Sequence, residues 1–309
     1  MSSKKILVLG SVNADHLVRV PRLPKPGETV AGKDYEVIPG GKGANQAVAC
    51  ARLGGQTAFI ACVGDDAFGA VMIQRFKADG IDTQAVCQVA DQMTGVALIC
   101  VDSQAENCIV IAPGANAKLT TRRVQAQQAL IAGSDYLLMQ LETPLDGLLE
   151  AVEIAHNAGV KVVLNPAPAK ALPDELLTRV DMITPNQTEA ELLTGISVND
   201  VVGAAEAAGK LHAMGIETVV ITLGSQGVWI SEEGNGRLVE GYSVTPVDTT
   251  AAGDTFNGAM LVALSHGESL DKAANFANAA AALSVTRHGA QPSIPSRDEV
   301  EKLVAGTKR

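Results

Sequence analysis

Aromatic residues are scarce in this 309-residue chain: one Trp, three Tyr and five Phe make up 3% of it. Platforms that stack single-stranded nucleic acid need aromatic faces, so Trp229 and the few Phe and Tyr read as packing residues. Basic charge is short as well, with 24 Lys and Arg against 34 Asp and Glu and a net charge of −10. That balance argues against a nucleic-acid partner, whose phosphates attract basic faces. The five cysteines (Cys50, Cys62, Cys87, Cys100 and Cys108) are odd in number and lack CxxC spacing. A disulfide or zinc framework is therefore not expected, and a reducing cytoplasm is the simpler setting. No HxxxH or HExxH pair occurs among the five histidines, which argues against a zinc hydrolase. Apolar runs stay far below the ~18 residues a membrane span needs. The run Ile6 to Leu9 is too short for a signal peptide and stops at Gly10. A soluble protein with no membrane partner is expected. Neither GxGxxG nor GxxxxGK[ST] occurs in register, which removes the main support for a dehydrogenase or a P-loop ATPase.

Hydrophobic residues make up 47% of the chain, so the core must be built from Ala, Val, Leu and Ile. That palette suits buried parallel strands covered by helices. Ile6 to Leu9 reads as a first strand and 44–53 as a helix stopped by Gly54-Gly55. Residues 59–63 read as a strand and 68–78 as a helix. From residue 120 the rhythm is regular, with strands at 136–140, 162–164, 182–183 and 219–222 and helices at 145–157 and 201–213. A hairpin near 228–241 and alanine-rich helices at about 254–265 and 269–286 complete the pattern. Strands alternating with helices predict an α/β fold with a mostly parallel sheet and right-handed crossovers. Two stretches, 16–39 and 84–112, carry β patterns without helices and are expected to pair as a small separate sheet. No repeat or low-complexity segment divides the chain, so residues 1–309 are expected to form one unit.

The strongest local signal is the run Asp248 to Gly258, in which small residues lead into a helix whose first turn carries Asp254. A helix start offers unpaired N–H groups and partial positive charge to a phosphate, and Asp254 could take a proton from an attacking hydroxyl. The bland alternative is a helix cap, since Asp is favoured there. The second signal is Gly40-Gly41-Lys42-Gly43-Ala44-Asn45-Gln46, where glycines would let the backbone reach a polyhydroxy ligand; a turn before a helix explains it equally well. Third, polar residues stand just beyond several strand ends: Asn13 and Asp15, Glu142, Asn165, Asn186 with Glu189, and Thr222 to Gly227. Open α/β sheets bind ligands outside the carboxyl ends of their strands.

Taken together these runs resemble the ribokinase-like family of sugar and nucleoside kinases. The 40–47 run is similar to its first signature and 248–258 to its second. The likeness extends in order from Gly10-Ser11-Val12-Asn13-Ala14-Asp15, through Asn165-Pro166-Ala167-Pro168 and Thr184-Pro185-Asn186, to Gly289-Ala290-Gln291-Pro292-Ser293. The opening run and the Lys42/Asn45 pair are most similar to the ribose-phosphorylating members.

The resemblance implies a three-layer α/β/α domain with a small β-sheet lid that closes on the sugar and often joins a homodimer. It implies ATP-dependent phosphorylation of D-ribose at its 5-hydroxyl, with Mg²⁺. Kinases of deoxyribose, fructose or adenosine, or a catalytically silent sugar-binding regulator, are the alternatives. Carried over by position, Asn13, Ala14, Asp15, Gly41, Lys42, Gly43, Ala44, Asn45, Glu142 and Asp254 would hold the sugar. Asn186, Thr222, Leu223, Gly224, Ser225, Gln226, Gly227, Gly253, Asp254 and Asn278 would line the ATP site. Asp254 would be the base, beside an anion hole of the N–H groups from Ala251, Ala252, Gly253 and Asp254. Asn186 and Glu189 would reach Mg²⁺ through water. A K⁺ would sit among Asp248, Thr250, Ser284, Arg287, Gly289 and Ser293. Many relatives carry glycine where this chain has Ala251; a methyl there restricts the backbone, so the loop is expected to avoid a glycine-only conformation.

Overall fold

The computed structural model describes residues 4–104 and 106–307. The chain opens with β1 (Lys5–Leu9), β2 (Asn13–Arg19), β3 (Asp34–Gly40), α1 (Lys42–Arg52), β4 (Gln56–Gly64) and α2 (Ala67–Ala78). Next come β5 (Val86–Val89), β6 (Gly95–Val101), β7 (Asn107–Ala112), α3 (Thr121–Gln125), α4 (Gln128–Ala132) and β8 (Tyr136–Met139). The middle continues with α5 (Leu145–Ala158), β9 (Lys161–Leu164), α6 (Asp174–Leu177), β10 (Met182–Ile183), α7 (Gln187–Thr194) and α8 (Val201–Ala213). It ends with β11 (Thr218–Thr222), β12 (Gly227–Glu232), β13 (Asn235–Glu240), α9 (Ala252–Ser265), α10 (Leu270–Ser284) and α11 (Arg297–Gly306). No helix among the described residues is long and apolar enough to cross a membrane.

Nine strands form one sheet in the order β13-β12-β11-β10-β9-β8-β1-β4-β5. Every pair in it is parallel except those of β12, which runs against both β11 and β13. Period-2 alternation sends Ile6 and Val8 of β1 into one core and Leu7 and Leu9 into another. The first core is closed by α1, α2, α9, α10 and α11, the second by α3 to α8. Burial on both faces explains why the strands read as unbroken apolar runs. The three-layer arrangement expected above is thus present.

Four strands stand apart in a second sheet, ordered β3-β2-β6-β7, with β2 and β6 parallel and the outer pairs antiparallel. One expectation fails here. Val86 and Val89 were grouped with the small sheet, but β5 pairs parallel with β4 at the edge of the large one, Cys62 opposite Cys87. A four-residue strand buried only at its two ends is too short for its pattern to name its partner, so pattern alone could not assign it.

Strand order reverses at β1, which lies between β4 on one side and β8 on the other. The crevice at such a switch point is where this architecture receives ligands. Its walls are the loop after β1, the turn after β8 and the first turns of α1 and α9. Glycines set their separation. A Cβ at Gly258 of α9 would lie 2.5 Å from the Ala49 Cβ of α1, and one at Gly43 would lie 2.5 Å from the Gly10 carbonyl carbon. The two helices and the end of β1 are therefore in backbone-close contact.

Candidate active site

Asp254 is the third residue of α9 and is buried. Both of its oxygens are held from α1: Asn45 Nδ2 donates to Oδ2 at 2.9 Å and Gln46 Nε2 to Oδ1 at 2.9 Å. Burial raises the carboxyl's pKa above the ordinary value, Lys42 and the two amide bonds pull it back, and Glu142 adds to the rise. Burial also works against the Lys42 ammonium, but Asp254, Glu142, Glu189 and Asp15 together hold its pKa above normal. One cation thus sits within the field of four carboxylates.

The neighbouring side chains are fixed in turn. Glu142 Oε2 accepts the Lys42 backbone N–H at 3.0 Å and the Ser11 hydroxyl. Asn13 Oδ1 accepts from Asn116 Nδ2 at 2.8 Å, and Asn116 is itself clamped to the Val12 backbone. Asp15 points from β2 into space that only glycine leaves free, since a Cβ at Gly40 would lie 2.0 Å from its Oδ2. Its Oδ1 is buried without a partner among the described residues. Burial, then the charges of Glu142 and Asp254, push its pKa up to about 7 against the pull of Lys42. A buried acceptor of this kind suits a ligand rich in hydroxyl donors.

Three expected sugar contacts fall elsewhere or take another form. Ala44 is fully buried in the core, and its N–H donates to the Ser11 carbonyl at 2.9 Å. Ala14 is buried on β2, where strand alternation turns it to the face opposite Asp15. Gly43 gives its N–H to the Ser11 hydroxyl at 3.3 Å and serves close packing. Gly41, by contrast, precedes α1 at φ +89°, a conformation that favours glycine, with the Asn13 backbone N 2.8 Å from where a Cβ would be.

Beyond Asp254, on the side of Gly253, lies a cavity of about 490 Å³. Thr222, Gly224, Ser225, Gly227, Gly253 and Asn278, six of the residues expected to meet ATP, line it together with Val244, Pro246, Phe256 and Ala282. Asn278 Nδ2 also tethers the end of β13 through the carbonyls of Val239 (3.0 Å) and Glu240 (3.1 Å). The remaining expected members are not on its wall. Leu223 is core, and the Gln226 carbonyl accepts the Gly241 N–H at 3.1 Å. Asn186 caps α7: its Oδ1 takes the Glu189 N–H at 2.8 Å, and Glu189 Oε2 takes the Asn186 N–H at 2.9 Å. This is a capping box. Burial still raises the Glu189 pKa, opposed by the Asn186 bond and Lys42 and aided by Asp254.

Ala251 corrects another expectation. It stands immediately before α9 with φ 59° and ψ 15°, so this non-glycine residue does adopt the left-handed conformation. The cost for an L-residue is roughly 1–2 kcal/mol. Ala252 and Gly253 follow in the first turn, where N–H groups have no intrahelical acceptor. Upstream, Asp248 ties two loops together, its Oδ1 accepting Thr250 N–H at 2.9 Å and its Oδ2 Gly289 N–H at 2.8 Å. Burial works upward on its pKa, but these bonds and the charge of His288 hold it below normal. The hydroxyls of Ser284 and Ser293 bond carbonyls in their own turns, to Ala281 (2.8 Å) and Ala290 (2.7 Å), and Arg287 bonds Glu299 at 2.6 Å. The Arg287 side chain is thus engaged elsewhere, while the two hydroxyl oxygens, being donors in these bonds, keep lone pairs that a cation could use beside backbone carbonyls.

Sequence reasoning did not single out Ser11, Gln46, Asn116 or Gln140 as functional, although the first three bond Glu142, Asp254 and Asn13, which it did, and Gln140 holds Gln46. Burial supplies the only signal: all four are polar and buried. The pH dependence of stability follows from Asp15. Its folded pKa of about 7 lies above the ordinary aspartate value of 3.8, so its contribution is full at acid pH and is lost as pH rises toward 7. Asp15→Asn, which stays neutral, should make the ligand-free protein more stable than the wild type at pH 8 by at least about 1 kcal/mol. The advantage should shrink near pH 4. Urea melts at both pH values measure it, and a variant less stable at pH 8 would refute the assignment.

Comparison with known proteins places the chain in a family. The model of the pfkB family carbohydrate kinases matches residues 3–297. The chain is 55% identical to a ribokinase of Haemophilus influenzae over 96% of its own length and 97% of that relative. It is 42% identical to a ribokinase of Staphylococcus aureus, covering 97% of this chain and 100% of the other. Among solved structures it is similar to Arabidopsis thaliana ribokinase complexed with ribose and ATP, with a TM-score of 0.92 and 34% identity over 98% of this chain and 99% of that one. The chain belongs to the pfkB family of carbohydrate kinases.

Proposed function

We propose that this protein transfers the γ-phosphoryl group of ATP to the 5-hydroxyl of D-ribose, releasing ADP and ribose 5-phosphate. The observation that carries the reading is the position of Asp254. Its carboxylate adjoins the crevice of Asn13, Asp15, Lys42 and Glu142, while the residue before it, Gly253, lines the 490 Å³ cavity. Ribose would bind in the crevice through Asn13, Asp15, Gly41, Lys42, Asn45 and Glu142, and ATP in the cavity.

Phosphoryl transfer needs alignment and charge neutralisation more than a strong nucleophile. The sugar oxygen bonds to the γ-phosphorus, the bond to the bridging oxygen breaks, and ADP leaves with the electron pair. Asp254 takes the hydroxyl proton. The N–H groups at the start of α9 would receive the transferring oxygens, and the left-handed turn at Ala251 aims them. Mg²⁺ neutralises charge on the phosphates when bound. The free oxygen of Glu189, whose partner oxygen is engaged in the cap, could hold one of its waters. The experiment is an assay of ribose, 2-deoxyribose, fructose and adenosine with ATP and Mg²⁺, with the phosphorylated position read by NMR. Ribose should give the highest kcat/KM; a better acceptor among the others would change the substrate, and no turnover would leave a binding protein.

Two further features accompany this reading. Asp248 joins the loop before α9 to the loop after α10, and one carboxylate with the neutral carbonyl and hydroxyl oxygens of those loops would make a donor set that suits K⁺ better than a divalent ion. K⁺ bound there would order the turn at Ala251. Initial rates should be higher in K⁺ than in tetramethylammonium at equal ionic strength, and equal rates would remove the site. The small sheet exposes Tyr35, Val37, Leu98, Ile109, Val110 and Ile111. A second copy's sheet is the cover we infer, giving a symmetric dimer. A fully active monomer by sedimentation at micromolar concentration would contradict it. Its five free thiols and its use of ATP suit the cytoplasm.

A further inference from the structure

Gln46 lies on the buried face of α1, beside Ala44, Ala47 and Val48, where an apolar side chain would pack without further demands. An amide there must satisfy two N–H groups and one oxygen. All three are engaged. Nε2 donates to Asp254 Oδ1 at 2.9 Å and to Asn165 Oδ1 at 3.0 Å, and Oε1 accepts from Gln140 Nε2 at 2.6 Å.

The directions of these bonds follow from one another. A carboxylate only accepts, so the nitrogen of Gln46 must face Asp254. Its oxygen then faces Gln140, which must present its own nitrogen. Gln140 Oε1 is left buried and without a partner among the described residues, in a space open only because residue 10 is glycine; a Cβ there would lie 2.1 Å away. On the other branch, Asn165 Nδ2 donates to the Thr184 carbonyl at 3.0 Å, which fixes its oxygen toward Gln46. The network leaves one oxygen orphaned and uses its other bonds to keep the Gln46 nitrogen turned toward the carboxylate.

We propose that Gln46 is a positioning residue for the phosphoryl transfer, holding the Asp254 carboxylate ionised and turned so that its remaining lone pairs meet the sugar hydroxyl. This rests on the reading of Asp254 as the base. With one lone pair of Oδ1 taken by Gln46 and one of Oδ2 by Asn45, neither donor can receive a proton. The proton from the 5-hydroxyl therefore goes to a lone pair on the substrate side. Asn45 also borders the crevice, whereas Gln46 is fully buried and acts only through Asp254. The charged groups within the field of Asp254 and Lys42 are Asp15 on β2, Lys42 on α1, Glu142 after β8 and Glu189 on α7. None of them replaces a hydrogen bond to Oδ1.

The test is kcat against pH at saturating ribose and ATP, for the wild type, Gln46→Met and Gln140→Leu. Methionine keeps the length and removes the donor; leucine at 140 frees Gln46 to rotate. Losing a donor to a buried carboxylate disfavours its ionised form, so the acid limb should move to higher pH. At neutral pH Gln46→Met should lower kcat about tenfold, with the ribose KM changed less than about threefold. Raising the pH should recover much of the loss, which a merely misfolded variant would not do. Gln140→Leu should shift the limb the same way by less. A wild-type kcat without an acid limb would remove the ionised base and this proposal with it. A wild-type limb left in place by whichever variants fold overturns the positioning role alone.

Discussion

Everything at the head of the sheet depends on the Lys42 ammonium, a cation set among four carboxylates, those of Asp15, Glu142, Glu189 and Asp254. A single positive charge cannot by itself neutralise four buried or part-buried carboxylates. The protein manages the excess with donors. Ser11 and the Lys42 N–H serve Glu142, the Asn186 N–H serves Glu189, and two amides serve Asp254. Asp15 is left without comparable help, so burial and the charges of Glu142 and Asp254 push its carboxyl up to about 7. A polyol would bring the missing donors. The site is thus incomplete as a polar network until a hydroxyl-rich ligand enters, and this selects a sugar on physical grounds.

Such crowding requires the backbones to approach closely, and glycine at a few positions allows it. Gly43 against Gly10 seats the first turn of α1 on the end of β1, and Gly258 lets α9 approach α1 at Ala49. Both contacts set the distance across which Asn45 and Gln46 reach Asp254. The same economy of volume appears in the alanine-rich α9 and α10, which bring the start of α9 beside Asn278 on the cavity wall. Substrate chemistry and helix packing are here one constraint.

The large sheet was legible in the sequence because both of its faces are buried, so its strands appear as apolar runs between amphipathic helices. Asp15, Lys42, Asn45, Glu142 and Asp254 were legible for a related reason: each follows a strand end or opens a helix, where this architecture collects ligands. What stayed hidden depends on three-dimensional placement. Gln46 meets Gln140 across 94 positions and Asp254 across 208, and no spacing marks such partners. The left-handed turn at Ala251 contradicts its residue type, since the surrounding loops outweigh a local preference. The edge strand β5 differs from a strand of the small sheet only in its partner. Asn186 and Glu189, read as a route to metal, use their side chains to cap α7 as well.

The account's central claim is that Asp254 accepts the proton from the sugar. Turnover by Asp254→Asn at saturating ribose and ATP, with both affinities measured by calorimetry, tests it most directly. The account predicts a kcat at least about a hundredfold lower with affinities changed far less, since asparagine keeps the shape and loses the base. Near-normal turnover would contradict it and leave Asp254 as a residue that only starts a helix.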